Sequence, residues 1–219
     1  MNFENDISTK LKINYPIIQA PMLGVSTPEM AAAISNHGGL GSLAVGGLSP
    51  DSTLNLIKKT KALTDRPFAV NIFAHKIPEF NLEDILPMQE FLLQLAKERD
   101  YKLDKSDLTN FHFYTYNDQI DILLEQNIPI VSFTFGCLDK KSIKRLRRNG
   151  CLLIGTATCL EEALILEANG IDMITLQGIE AGGHRGTFLE DIKLPEIGLF
   201  PLIRQVTRRV KTPVIAAGG

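Results

Sequence analysis

The sequence predicts a parallel α/β fold, and three observations carry the prediction. Short runs rich in Val, Ile and Leu alternate with helical segments along the whole chain. Seven such runs recur, at 16–20, 40–45, 68–73, 128–135, 152–157, 171–176 and 213–217. They also lack regular polar alternation, as parallel strands buried on both faces do. Two architectures satisfy this pattern, the doubly wound open sheet and the (β/α)8 barrel. Each run ends in a glycine, a proline or a polar residue, which the βα loops around one barrel mouth require, so the barrel is the expectation. The seventh run ends at Gly218-Gly219, where a loop, a helix and an eighth strand would follow. The expected fold is therefore a (β/α)8 TIM barrel truncated after its seventh strand, a single domain over residues 1–219.

Pro16 to Ala20 is an apolar run closed by Pro21-Met22-Leu23-Gly24. Thr27 suits a helix N-cap and Pro28 the first helical position, and Asn36-His37-Gly38-Gly39 stops that helix. Leu40 to Val45 is the second run, and Ser49-Pro50-Asp51 opens a helix carrying Leu54, Ile57 and Leu63. Phe68 to Phe73 follows, with Asn71 the one polar residue among apolar neighbours. Then the rhythm changes: a helical insertion at about 76–127 holds an apolar helix near Asp84 to Lys97, a polar link over 100–110, and a second helix near Tyr116 to Gln126. This insertion is an elaborated crossover with the makings of a lid.

The rhythm resumes with Ile128 to Phe135 and a basic helix, Asp139 to Arg148, whose charges read as a solvated outer face around Ile143 and Leu146. Leu152 to Ala157 precedes a helix over Cys159 to Asn169, stopped by Gly170; Ile171 to Leu176 precedes a helix over Pro195 to Arg209; Pro213 to Ala217 is last.

Composition excludes several classes. With 44% hydrophobic and 22% charged residues, 219 residues suffice for one sizeable core. A net charge of −2 gives no chain-wide case for nucleic acid. No apolar run reaches the roughly 18 residues of a membrane span, and the first residues lack a secretory apolar core. Cys137, Cys151 and Cys159 match no zinc spacing and read as reduced thiols of a cytoplasmic protein. No metal is expected.

One stretch concentrates chemistry. Gln177 to Gly186 places four glycines, a carboxylate, His184 and Arg185 directly behind an apolar run. Glycines admit close approach of a ligand to backbone N–H groups, and an imidazole titrates near neutral pH. A tight connection with a solvated histidine is the plain alternative. Ligands of such folds gather at the carboxyl ends of strands, which pools Pro21-Met22, Asn71, Gln177 to Gly186 and Gly218-Gly219. Gly218-Gly219 reads either as a phosphate site or as a simple loop start. No dinucleotide spacing and no serine-hydrolase elbow occurs. His37, His75 and His112 read as surface or packing residues.

Gln19-Ala20-Pro21-Met22, Ser26 to Ala33, Gly38-Gly39-Leu40-Gly41, Val70-Asn71, Gln177 to His184 and Ala216 to Gly219 together resemble the nitronate monooxygenase family, formerly the 2-nitropropane dioxygenases. The resemblance follows the family's order along essentially the whole chain and is most specific at Gly183-His184-Arg185-Gly186. It implies an FMN-binding (β/α)8 barrel that oxidises alkyl nitronates with dioxygen to a carbonyl compound and nitrite. It implies that Pro21-Met22 borders the isoalloxazine, that the Asn71 and Gln177 amides bond its polar atoms, and that Gly182, Gly183, Gly218 and Gly219 line the phosphate. His184 would be the catalytic residue, taking a proton from a neutral nitroalkane or, when protonated, holding the nitronate. Partners are then the small-molecule nitronate and dioxygen, with no nucleic acid and no membrane; a homodimer is compatible.

Family members continue past the seventh strand, so the chain is expected to be a fragment. Two other readings stand beside the first: a flavin-dependent enoyl-acyl-carrier-protein reductase, which shares barrel and Gly-Gly-His loop, and a catalytically silent fragment.

Overall fold

Parallel pairing in chain order is the central feature of the main unit. A computed structural model describes residues 3–77, 81–104, 112–189 and 196–218. Its strands are β1 (Gly41–Ala44), β2 (Phe68–Phe73), β3 (Ile130–Thr134), β4 (Leu152–Ala157), β5 (Met173–Gln177) and β6 (Val214–Ala217). They form one six-stranded sheet in the order β1-β2-β3-β4-β5-β6, with every pairing parallel. Unbroken chain order is the winding of a barrel wall, because a doubly wound sheet reverses its order at a switch point.

Seven runs thus yield six strands. The first run makes only an isolated parallel bridge, Ile18 to Leu40. Leu40 N–H donates to Ile17 C=O and Gln19 N–H to Leu40 C=O, both at 2.9 Å. Pro16 and Pro21 flank this short contact and lack the N–H groups that would lengthen the ladder.

Local signals set the helices. Thr27 caps α2 (Pro28–Asn36), its hydroxyl accepting from Met30 N–H at 3.2 Å, with Pro28 at the first position. Ser49 caps α3 (Pro50–Leu63) in the same way. Asp139 caps α6 (Lys140–Arg148), accepting from Lys141 and Ser142 N–H at 2.8 and 3.0 Å. Around the sheet these join α1 (Asp6–Leu11), α5 (Tyr116–Glu125), α7 (Leu160–Ala168) and α8 (Leu199–Thr207).

The two faces of the sheet are packed differently. Leu43, Val70, Ile72, Val131, Phe133, Leu153, Ile174 and Leu176 meet Ala31, Ile57, Leu123, Leu146, Leu166 and Leu202, so α2, α3, α5, α6, α7 and α8 lie on one face. Each fully buried side chain of this size contributes about 1.5–3 kcal/mol relative to exposure. On the other face, at the amino ends of the strands, Leu40, Ala69, Ile130, Ile154 and Met173 are covered by Leu11 and Ile13. That puts α1 against the sheet's second side, held in its turn by reciprocal Asn5 and Ser8 hydrogen bonds of 2.9 Å each.

Toward the carboxyl ends this second face turns polar. Side chains alternate along a strand, so Asn71, Ser132, Thr134, Thr156, Thr175 and Gln177 share the face of Ile130, Ile154 and Met173. The expectation of strands without polar alternation holds for the helix-covered face alone.

Residues 76–113 form a second compact unit. It contains α4 (Leu82–Glu98), opened by the Asn81 N–H bond to Asp84 Oδ2 at 3.3 Å and carrying Pro87 inside it. Helix α5 belongs to the main unit and gives Ile120 and Leu123 to its core, so the stretch 76–127 read from sequence as one insertion is divided between the two units. Part of the polar link, 105–111, lies outside the described residues. Among the described residues no helix is long and apolar enough to cross a membrane.

The contact between α2 and β1 is made by backbone. A Cβ on Gly41 would sit 1.9 Å from Ala31 O and 2.8 Å from Ala31 Cα. Gly41→Ala must push the helix off the strand, and it is expected to lower stability by about 1–3 kcal/mol, read as a lower urea midpoint with an unchanged slope.

Candidate active site

Strand β5 ends at Gln177, and the loop behind it has no regular structure, so its shape depends on side chains. The Gln177 amide is the first anchor: Nε2 donates to His184 C=O at 2.9 Å and Oε1 accepts from Gly186 N–H at 2.7 Å. Arg185 is the second, donating to Gln177 C=O at 2.8 Å and Thr158 C=O at 3.5 Å. Its guanidinium therefore sits against carbonyls at the ends of β4 and β5, with no carboxylate in salt-bridge contact among the described residues.

Glu180 proves to be a structural group. Both its oxygens accept from Leu199 N–H, at 3.0 and 2.9 Å, which caps α8 where Gly198 offers no side chain. Gly178 and Gly198 are small to admit it, since a Cβ at either would lie 2.3 or 3.0 Å from its carboxylate. Ile179 N–H bonds Ile197 C=O at 2.9 Å, tying the loop to the same helix start.

His184 is exposed on the loop, its ring meeting Phe135 edge to face with centroids 5.8 Å apart. Phe135 follows β3 in the left-handed region (φ 67°) and packs on Phe73 at 4.9 Å, which in turn lies 6.0 Å from His75. Gly46 makes room for this cluster, because a Cβ there would come within 2.4 Å of the Phe73 ring. The imidazole is thus backed by an aromatic wall drawn from the ends of β2 and β3. A non-glycine residue at positive φ beside a chemically competent side chain is the kind of strain that gathers at functional sites.

The remaining expected residues divide into two groups. Gly182 and Gly183 are exposed, with nothing within 4 Å of where a Cβ would be, and Gly183 has φ 76°. Gly218 (φ 114°) lies against Ala181, the residue before Gly182, its Cβ position 3.1 Å from Ala181 N, and Gly178 N–H bonds Ala217 C=O at 3.0 Å. Gln177, Gly182, Gly183, His184 and Gly218 therefore come together, while Gly219 lies outside the described residues. Asn71 is buried on the polar face, donating to Ser132 Oγ at 3.0 Å. Pro21 and Met22 are exposed at the carboxyl end of the first run, in a turn built by Ser26: its hydroxyl accepts from Met22 N–H and Gln19 Nε2, both at 2.9 Å.

Sequence reasoning overlooked Ser132, Thr134, Thr156 and Thr175, the hydroxyls beside Asn71 and Gln177, as well as Phe73 and Phe135. A signal exists in their spacing at every second position, ending on the polar residue before each loop. The three thiols are free, and burial pushes each up to about 11, so they are protonated at neutral pH and unsuited to nucleophilic work.

A parallel sheet wound in chain order, with a histidine-bearing glycine loop and a hydroxyl-lined face at its carboxyl end, defines a barrel-type α/β protein with its candidate site at that end. The nitronate monooxygenase family model matches residues 4–219, and the chain belongs to that family. It is 43% identical over 213 residues to a nitronate monooxygenase of Paraburkholderia phytofirmans, covering 95% of this chain and 57% of that protein. A solved nitroalkane oxidase from Streptomyces ansochromogenes superposes with a TM-score of 0.80 at 38% identity, over 97% of this chain and 60% of the other. FabK from Thermotoga maritima is more distant, at 27% identity and a TM-score of 0.71, covering 97% of this chain and 53% of its own. The chain spans about three fifths of the length of the curated relatives it matches, 57% and 62% in two of them.

Gly186 is the tightest point of the loop, since a Cβ there would lie 2.9 Å from Thr156 Cγ2 and 3.1 Å from Thr134 Cγ2. Gly186→Ala is expected to lift the loop from the hydroxyl face and break the Gly186 bond to Gln177. Limited proteolysis should then cut within 177–189 several-fold faster, with the unfolding free energy lowered by no more than about 1 kcal/mol.

Proposed function

We propose that this chain carries the flavin-side and substrate-side residues of an FMN-dependent nitronate monooxygenase on a (β/α)8 barrel, which converts alkyl nitronates and dioxygen to a carbonyl compound and nitrite. The observation that carries the reading is the anchored loop that presents His184 on the Phe135 ring beside a polar strand face. Family membership supports the reaction class, and the family is one of flavoproteins. A cytoplasmic setting accords with the free thiols.

The residues present fit FMN. Gly182 and Gly183 leave open space where side chains would stand, so their N–H groups would hold a phosphate together with Gly218 and Gly219. Gln177 spends one amide N–H and one lone pair inside the loop and keeps one of each for a flavin edge; Asn71 keeps its second N–H after bonding Ser132. The main chain at Pro21-Met22 would border the ring system. When bound, FMN supplies the electron transfer between nitronate and dioxygen.

The protein's own part is orientation, charge and proton handling. His184 takes the α-proton of a neutral nitroalkane on its imidazole, while a nitronate arriving preformed bypasses that step. The Arg185 charge, bonded to carbonyl oxygens and to no carboxylate among the described residues, favours an anionic ligand over the loop. Phe135, itself packed on Phe73, covers one edge of the imidazole and restricts its orientation.

The test offers flavin-loaded protein propyl-2-nitronate with oxygen, then an enoyl thioester with NADH; nitrite release from the first is the expected result, and turnover of the second alone would overturn the reading. His184→Asn should lower turnover of neutral nitroalkane by about 10²–10⁴-fold while leaving flavin bound. Loss of flavin in that variant would show His184 to be structural.

A further inference from the structure

Glu162 lies in the first turn of α7 and is wholly buried, at 0% exposure. No Lys or Arg forms a salt bridge with it among the described residues. Four donors satisfy it instead. Oε2 accepts from Thr158 N–H at 2.6 Å and Thr158 Oγ1 at 2.8 Å; Oε1 accepts from Phe188 N–H at 2.6 Å and Thr187 Oγ1 at 2.9 Å. Each oxygen takes one backbone N–H and one hydroxyl.

Half of this is local, tying the helix start to Thr158, the residue before its N-cap Cys159. A glutamate three positions into a helix reaches back to the chain before it, as Glu162 does to Thr158. The other oxygen reaches a different segment, 25–26 residues further on, that has no part in the helix. Thr187 and Phe188 stand directly behind Gly186, which Gln177 holds from the other side. The backbone after His184 is therefore fixed at two successive points, to the end of β5 by Gln177 and to the start of α7 by Glu162. Before His184, the exposed Gly182 and Gly183 provide no comparable restraint.

We infer that Glu162 is a positioning residue for His184: it holds the imidazole against the Phe135 ring through the Thr187 hydroxyl and the Phe188 N–H. The inference rests on the nitronate reading for its catalytic consequence and on geometry alone for its mechanical one. Only a glutamate meets the requirement. A glutamine must turn its NH2 toward one of two backbone N–H donors and abandon it, and an aspartate is a methylene too short to bridge both.

The test uses Glu162→Gln and the milder Thr187→Val, which leaves Glu162 with three donors. Amide hydrogen exchange on the whole chain is the first readout: residues 184–188 should exchange at least about tenfold faster in Glu162→Gln, and to a lesser degree in Thr187→Val, with the rest of the sheet still protected. The second readout is the ratio of kcat/KM for a neutral nitroalkane, which needs the histidine as base, to that for the preformed nitronate. That ratio should fall about tenfold, because misplacing a catalytic group costs more than loosening a binding surface. Unchanged exchange at 184–188 in a folded variant overturns the inference, as does equal loss on both substrates. If Glu162→Gln fails to fold, Thr187→Val decides by the same two measurements. An absence of nitronate turnover in the unsubstituted protein would sink the functional reading, and the exchange result would still decide the positioning role.

Discussion

One-handed winding is the constraint on which the rest depends. A strand, its helix and the next parallel strand connect in one hand, and here each unit steps to the adjacent position without reversing. Helices α2, α3, α5, α6, α7 and α8 consequently fall on one face of the sheet. That face must be apolar in every strand, as Leu43, Val70, Phe133, Leu153 and Leu176 are. The opposite face is released from the demand. It can be apolar where Leu11 and Ile13 cover it, and can carry amides and hydroxyls where the strands end. The placement of a reactive loop at that end follows from winding direction before any catalytic residue is considered.

Legibility in the sequence tracks how local each cause is. Caps such as Thr27 before Pro28 and Ser49 before Pro50 are read directly, because donor and acceptor lie within one turn. The apolar runs mark β1 to β6 for the same reason, although Pro16 and Pro21 reduce the first run to a bridge. The glycine-rich loop announces itself by composition. Thr134, Thr156 and Thr175 stay hidden because threonine is as good a strand former as valine, so a polar stripe passes for a buried one. Glu162 hides more deeply: in sequence it is one of two acidic residues opening a helix, and nothing local reveals that donors 25–26 residues away will bury it.

The loop after β5 shows how a segment without regular structure gains definition. Its glycines permit close packing, as at Gly186 between two threonine methyls, but they also raise the entropy lost on ordering. Side chains offset that cost by taking the hydrogen bonds that a strand or helix would otherwise make. Gln177, Arg185, Glu180 and Glu162 each bond main-chain atoms, so four polar residues act as surrogate backbone partners for a loop that would otherwise fray. Polar residues near a site are therefore as often its frame as its chemistry, and their hydrogen-bond partners tell the two apart.

The small apolar cluster at the amino ends of the strands bears on how the chain reaches its native state. Leu11 and Ile13 share that cluster with Ile130, Ile154 and Met173, partners more than a hundred residues downstream. During synthesis α1 emerges before the strands it covers, and its docking surface is not complete until β5 has been made and paired. This helix therefore settles late, and closing so long a loop is a slow, high-contact-order step. Until then the amino-terminal apolar residues stay exposed to other chains, which makes this end the natural point for a chaperone to act during folding.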